Sequence, residues 1–221
     1  MSVLKTRSYL PAGVRRTQIL AAAKTVLARR GYNRTNVAQI CAAARIARGT
    51  FYVYFDNKRD VLLALLDDVV VRVDAILGRR TRIGDLRFDL ARLDAATVVA
   101  FCEARMRELL DVIFVDEATL RLVLREARGL DGVVDKVVAR IDRGVLAAME
   151  RDLDEAQQIG VFARTDSKMM ARYSLGGIEK LILTALAQGE PLDLDRVVSL
   201  TVRLQLFGLL TDEITRQGGR T

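Results

Sequence analysis

The sequence predicts an all-α protein: a small N-terminal three-helix unit with a helix-turn-helix, followed by a larger helical body. Three observations predict it. Helix-favouring residues dominate the 221-residue chain, and proline occurs only at Pro11 and Pro191. Apolar residues recur at spacings of three and four rather than alternating. The charge is also segregated. Residues 1–60 hold 12 of the 35 Lys/Arg but only two acids, Asp56 and Asp60, so the whole net charge of +7 originates in the first quarter. Such a footprint suits a polyanionic partner. A solubilising basic terminus is the plainer alternative.

The elements follow in order. Residues 1–14 read as a flexible tail. A first helix spans about 14–30, with Ile19, Leu20, Ala23, Val26 and Leu27 on one face and Gly31 as its stop. Thr35 is the expected N-cap of a second helix over about 36–43. A break at Ala44–Arg45 leads to a third short helix over about 47–54. Asp56 or Asn57 caps a fourth helix, about 58–77. A mixed connection follows, then helices at about 95–115, 117–128 and 132–158. The turn "IGVFARTD" precedes a closing pair at about 167–187 and 194–216. The charge break divides the chain into a tail (1–14), a helix-turn-helix domain (15–57) and a helical body (58–221).

The stretch "ARGTFYVYFDNK" carries the chemistry. It holds four of the chain's twelve aromatic residues, Phe51, Tyr52, Tyr54 and Phe55, between Arg48 and Lys58. Phe51 and Phe55, four apart, share a face and point inward toward Leu27, Ile40 and Ile46. Tyr52 and Tyr54 leave that face and can lay a ring on protein while the hydroxyl meets a phosphate. Arg48 and Thr50 occupy the first turn of the third helix, where a helix-turn-helix meets base edges. Arg48 suits guanine O6 and N7, and Thr50 a thymine methyl or a phosphate. Gly49 permits close backbone approach. Lys58, opening the next helix, suits a phosphate.

From Ile19 to Leu65 the chain resembles the TetR/AcrR family of bacterial transcriptional regulators. The resemblance rests on Gly31-Tyr32, Thr35, Ile40, Ala44, Arg48-Gly49-Thr50-Phe51-Tyr52, Tyr54-Phe55 and Asn57-Lys58. It implies DNA contacts from Thr35, Asn36, Arg48, Gly49, Thr50, Tyr52, Tyr54 and Lys58. Two positions depart from the family pattern. Arg45 stands where Gly is usual at the turn, costing about 1 kcal/mol if φ is positive, and offers an extra phosphate contact. Ala47 stands where Ser often caps the recognition helix, a loss of about 1 kcal/mol.

The resemblance also implies a homodimer, with the closing helix pair forming a four-helix bundle across subunits. Ser174, Gly177, Ile178 and Leu181 on one helix, and Leu200, Leu204 and Phe207 on the next, form the expected interface; internal core is the alternative. Middle helices in the family enclose a ligand pocket. Phe101, Arg105, Met106 and Leu109, with Leu122 and Arg125, are the candidate lining for a small hydrophobic ligand. Arg105 or Arg125 would anchor an acidic group, or else sit in a surface ion pair. The implied function is a repressor that binds a near-palindromic operator of double-stranded DNA as a homodimer and releases it when an effector binds. A helical dimer without DNA binding is the alternative.

Other classes find little support. No apolar run reaches the roughly 18 residues of a membrane helix, and no signal-peptide segment opens the chain, so a cytoplasmic protein without a membrane partner is expected. Histidine is absent, which removes the commonest general base and metal ligand. Two cysteines, Cys41 and Cys102, make neither a disulfide framework nor a zinc site. No glycine-rich phosphate loop is present, so neither catalysis nor a cofactor or metal is expected.

Overall fold

The computed structural model describes residues 11–79, 81–85, 92–113 and 115–209. They form nine α-helices in chain order: α1 (Ala12–Arg30), α2 (Val37–Ala44), α3 (Arg48–Tyr52), α4 (Lys58–Arg79), α5 (Ala95–Ile113), α6 (Glu117–Arg121), α7 (Gly132–Gln158), α8 (Ser167–Gln188) and α9 (Leu194–Leu209). The protein is all-α, with a helix-turn-helix head (α1–α3) and a larger helical body. No helix among the described residues is long and apolar enough to cross a membrane.

The head closes on a small aromatic core. Phe51 and Phe55 are buried with Ile19, Leu27, Ile40, Val61 and Leu62. The Phe51 and Phe55 rings lie 5.9 Å apart, and Phe51 meets Tyr52 edge-on at 5.5 Å. Several local expectations need correction. Residues 12–14 belong to α1 rather than to a tail, while residues 1–10 lie outside the described set. The N-cap of α2 is Asn36, not Thr35. Asn36 Oδ1 accepts the Gln39 N–H at 3.0 Å, and Gln39 returns a bond to the Asn36 N–H, a reciprocal capping box. At the next helix Asn57, not Asp56, supplies the cap, accepting the N–H groups of Arg59 and Asp60.

The body is built on α4, α5, α7, α8 and α9. α4 crosses α7 so closely at Gly144 that a β-carbon there would lie 2.7 Å from Val73 Cγ1. α7 follows its sequence-derived limits. α6 does not: its first turn is α-helical, but Leu122–Glu126 form a π-helical turn closed by the Ala127 N–H on the Leu122 carbonyl at 2.9 Å. Such turns need an extra residue per bond and often mark functional positions. The expected extension of the last helix to about residue 216 lies outside the described residues, as does the side chain of Phe207.

Polar bonds tie head to body. Lys24 of α1 pairs with Asp116, the N-cap of α6, at 2.5 Å. The Tyr32 N–H, at the end of α1, donates to Glu126 Oε2 at 2.7 Å. Beneath the head, within the body, Arg59 in the first turn of α4 makes a two-toothed contact with Asp131, the N-cap of α7, at 2.6 and 2.9 Å. The head therefore rests on the N-terminal end of α6 and on the π turn.

Candidate nucleic-acid interface and effector cavity

The turn between α2 and α3 places Arg45 in the left-handed region, φ 54° and ψ 45°, the only non-glycine residue with positive φ among those described. The backbone strain expected from the missing glycine is therefore present. The turn is held by Gln18 of α1, whose amide donates to the Ala44 carbonyl at 2.7 Å. α3 starts at Ala47 with no side-chain cap. Its inner face is Phe51. Its outer face carries Arg48, Gly49, Tyr52 and Val53, all exposed, with Thr50 half-buried beside them. Asn36 and Arg45 are exposed on the same head, and Tyr54 is half-buried against the core.

Two expected DNA contacts are placed elsewhere. Thr35 is buried, and its hydroxyl donates to the Gly31 carbonyl at 2.8 Å. The Lys58 ammonium turns into the head, donating to the carbonyls of Tyr32 at 2.7 Å and Thr35 at 2.9 Å and sitting 4.1 Å above the Tyr32 ring. Burial lowers its pKa. Both side chains are structural fasteners at the α1–α2 turn. Sequence reasoning also missed two residues. Val53 is 76% exposed, an apolar side chain offered to solvent at the end of α3. Its signal was its place beside Tyr52, off the Phe51 face. Arg16 lies with its guanidinium 5.2 Å from the Phe55 ring, which moors a cation next to the same surface.

The body encloses a cavity of about 140 Å³, walled mainly by apolar side chains of α5, α7 and α9. Four expected residues line it: Phe101, Arg105, Met106 and Leu109. Two do not. Leu122 is packed in the core on the π turn, and Arg125 is 55% exposed, 3.8 Å from Glu126. Both sit on a segment whose phase the extra π residue shifts. Val161 and Phe162, in the stretch read as a turn, form part of the wall, as do Met149, Asp152 and Gln205. The Arg105 guanidinium is bound through Nε and Nη2 to Asp152 and through Nη1 to the Thr81 carbonyl. Cys102, also in the wall, has its thiol pushed up to about 12, chiefly by burial and then by Asp152.

On α8 two of the residues expected at the interface are placed inside the protomer. Ser174 and Ile178 are buried in the protomer's own core; Ser174 donates to the Met170 carbonyl and accepts from Gln205. The expected Gly177 and Leu181 are exposed, as are Leu200 and Leu204 on α9, in a stripe that also includes Met169 and Tyr173. Tyr173 is 70% and Met169 66% exposed. A β-carbon added at Gly176 or Gly177 would meet open space.

Residues 19–65 match the model of bacterial regulatory proteins of the tetR family. This N-terminal segment is that of the tetR family of bacterial regulatory proteins. Among curated relatives, the fatty acid metabolism regulator protein of Bacillus subtilis is 43% identical over 51 residues, which span 23% of this chain and 26% of that protein. The match therefore covers about a quarter of that regulator's length. The probable HTH-type transcriptional regulator ArpR of Pseudomonas putida is 28% identical over 191 residues, covering 77% of this chain and 89% of its own. SmeT, described as the repressor of the Stenotrophomonas maltophilia multidrug efflux pump SmeDEF, shares the fold. In its complex with triclosan it aligns over 91% of this chain and 94% of its own, with a TM-score of 0.67 and 24% identity.

Proposed function

We propose that the protein is a TetR-family transcriptional regulator and a repressor: a homodimer that grips a near-palindromic operator through α3 and lets go when a small, mainly apolar effector enters the body. The observation that carries the reading is the division of α3. Its one apolar ring, Phe51, is spent on the core, while Arg48, Gly49, Tyr52 and Val53 are left exposed on a strongly basic head. In this arrangement Arg48 addresses a guanine, Val53 a thymine methyl, and Thr50, Tyr52 and Asn36 the flanking phosphates. Arg45 and Arg16 add charge beside them. The exposed stripe on α8 and α9 is the pairing face. It sets two heads side by side so that two α3 helices meet major grooves about 34–36 Å apart.

The cavity supplies the switch. A description of SmeT in complex with triclosan supports a small, largely apolar effector here. An effector that prefers one arrangement of the body shifts the population of head positions. The route runs through α6 and its π turn, because Asp116 and Glu126 hold Lys24 and Tyr32 of the head. Coupling of about 1–3 kcal/mol weakens operator binding about 5–150-fold. The test is selection of binding duplexes from a random pool, followed by anisotropy measurements over a range of salt. Enriched two-fold sequences and a steep loss of affinity with salt are expected. Failure to enrich any duplex would remove the reading.

A further inference from the structure

We infer that the body cavity takes an uncharged, ring-sized apolar molecule and turns away anions, and that Asp152 is the residue that sets this charge rule. The inference rests on the effector-binding reading above and makes it specific.

Only two charged side chains line the cavity among the described residues, Arg105 from α5 and Asp152 from α7. They are already joined: Arg105 Nη2 lies 2.6 Å from Asp152 Oδ1 and Nε 3.2 Å from Oδ2, with the side chains only 12% and 16% exposed. The third direction of the guanidinium is taken by the Thr81 carbonyl at 2.8 Å. An arginine in an apolar pocket reads, in sequence, as an anchor for a carboxylate or phosphate. Here that anchor is occupied by the protein's own carboxylate. An incoming anion would have to displace Asp152 or share a poorly hydrated site with it, and like charges that close oppose ionisation of both.

A second observation reports the sign of the local field. The Cys102 thiol is raised to about 12, first by burial; next, Asp152 raises it by more than Arg105 lowers it, and Glu103 adds to the rise. The wall of the cavity thus disfavours negative charge although an arginine lines it. Glu103, behind the wall, is a further carboxylate: among the described residues one of its oxygens is buried without a hydrogen bond, and Arg203 stands 3.7 Å away.

Size sets the rest. The cavity of about 140 Å³ is close to the roughly 150 Å³ that holds a benzene ring in an engineered apolar site. One substituted ring fits; a long acyl chain requires the helices to part.

The probes are 4-ethylphenol, which stays neutral near pH 7, and 4-ethylbenzoate, a matched anion. Isothermal titration of the wild-type chain is expected to show the phenol binding at least about tenfold more tightly than the benzoate, the low end for a like charge at close range. Asp152→Asn, which removes the carboxylate and keeps its shape, is expected to erase or reverse that ratio. Met106→Trp, which fills the space, is expected to abolish phenol binding and so locate it. Equal binding of both probes, or preference for the benzoate, would overturn the charge rule; if the benzoate also released DNA, the regulator reading would survive the loss. Absence of binding by both probes, or phenol binding indifferent to Met106→Trp, would overturn the assignment of the cavity to ring-sized molecules. An unchanged ratio in Asp152→Asn would overturn the role of Asp152; should that variant fail to fold, Asp152→Ser takes its place.

Discussion

Lys58 separates a DNA contact from a structural fastener, and Lys58→Met tells them apart. The substitution keeps the aliphatic stem over Tyr32 but deletes the ammonium, leaving the Tyr32 and Thr35 carbonyls without their donor. A hydrogen bond from a charged group contributes about 1.5–3 kcal/mol. Lys58 is only partly buried, so water recovers part of the loss, and about 2–3 kcal/mol for the pair is the expected cost. At about 2–4 °C per kcal/mol for a chain of this size, the melting temperature falls by about 4–12 °C. The DNA arm is independent. Each phosphate neutralised contributes about 0.9 to the slope of log affinity against log salt. The structure predicts an unchanged slope, because this ammonium is committed inside the head. An unchanged melting temperature together with a slope shallower by about 0.9 per protomer would refute the reasoning and return Lys58 to the phosphates.

Other consequences follow from named contacts. Arg48→Ala is expected to weaken operator binding by about 1–3 kcal/mol and relax one base position without changing the melting temperature, as read by anisotropy on single-base operator variants. Tyr173→Lys with Leu204→Glu places charges on the exposed stripe, so sedimentation is expected to show a monomer with full helix content and weakened operator binding. Cys102, with its thiol at about 12, is expected to resist iodoacetamide at about pH 8 in the folded chain and react readily once unfolded, read by mass spectrometry. The bonds in and beneath the head have an acid limit. Burial alone would raise Asp116, but the Lys24 bond and the Thr119 N–H hold it below the ordinary carboxylate value; the Arg59 bond and the N–H groups of Val134 and Val133 hold Asp131 lower still. Their contribution is therefore complete above about pH 4 and lost as pH falls through the depressed values, so urea midpoints are expected to drop below about pH 4 and Asp116→Asn to flatten that drop.

Local chemistry made much of the fold readable. Asp131, Gly132 and the long polar stripe of α7 set its limits, and the Phe51–Phe55 spacing gave the inner face of the head. Positive φ at Arg45 was suggested only by the family resemblance, which has Gly at that turn. What failed was phase and partnership. α8 is apolar on two sides, so periodicity alone does not say which side meets its own body; Ser174 and Ile178 take that side and Met169 and Tyr173 the other. Leu122 and Arg125 lie on the π turn at Leu122–Glu126, outside the cavity lining, and no residue type announces such a turn. Thr35 and Lys58 carry the same hydrogen-bonding groups whether they meet phosphate or backbone. Only the three-dimensional placement of the Gly31, Tyr32 and Thr35 carbonyls reveals which. The ion pair of Arg105 joins residues 47 positions apart, beyond the reach of any local pattern.

The central claim is that two copies of α3, set side by side by the stripe on α8 and α9, read duplex DNA. Hydroxyl-radical footprinting on a duplex selected by the wild-type chain tests it most directly. The account predicts two equivalent protected patches about one helical turn apart, related by two-fold symmetry and both abolished by Arg48→Ala. A single unrepeated patch, or a footprint that Arg48→Ala leaves intact, would contradict it.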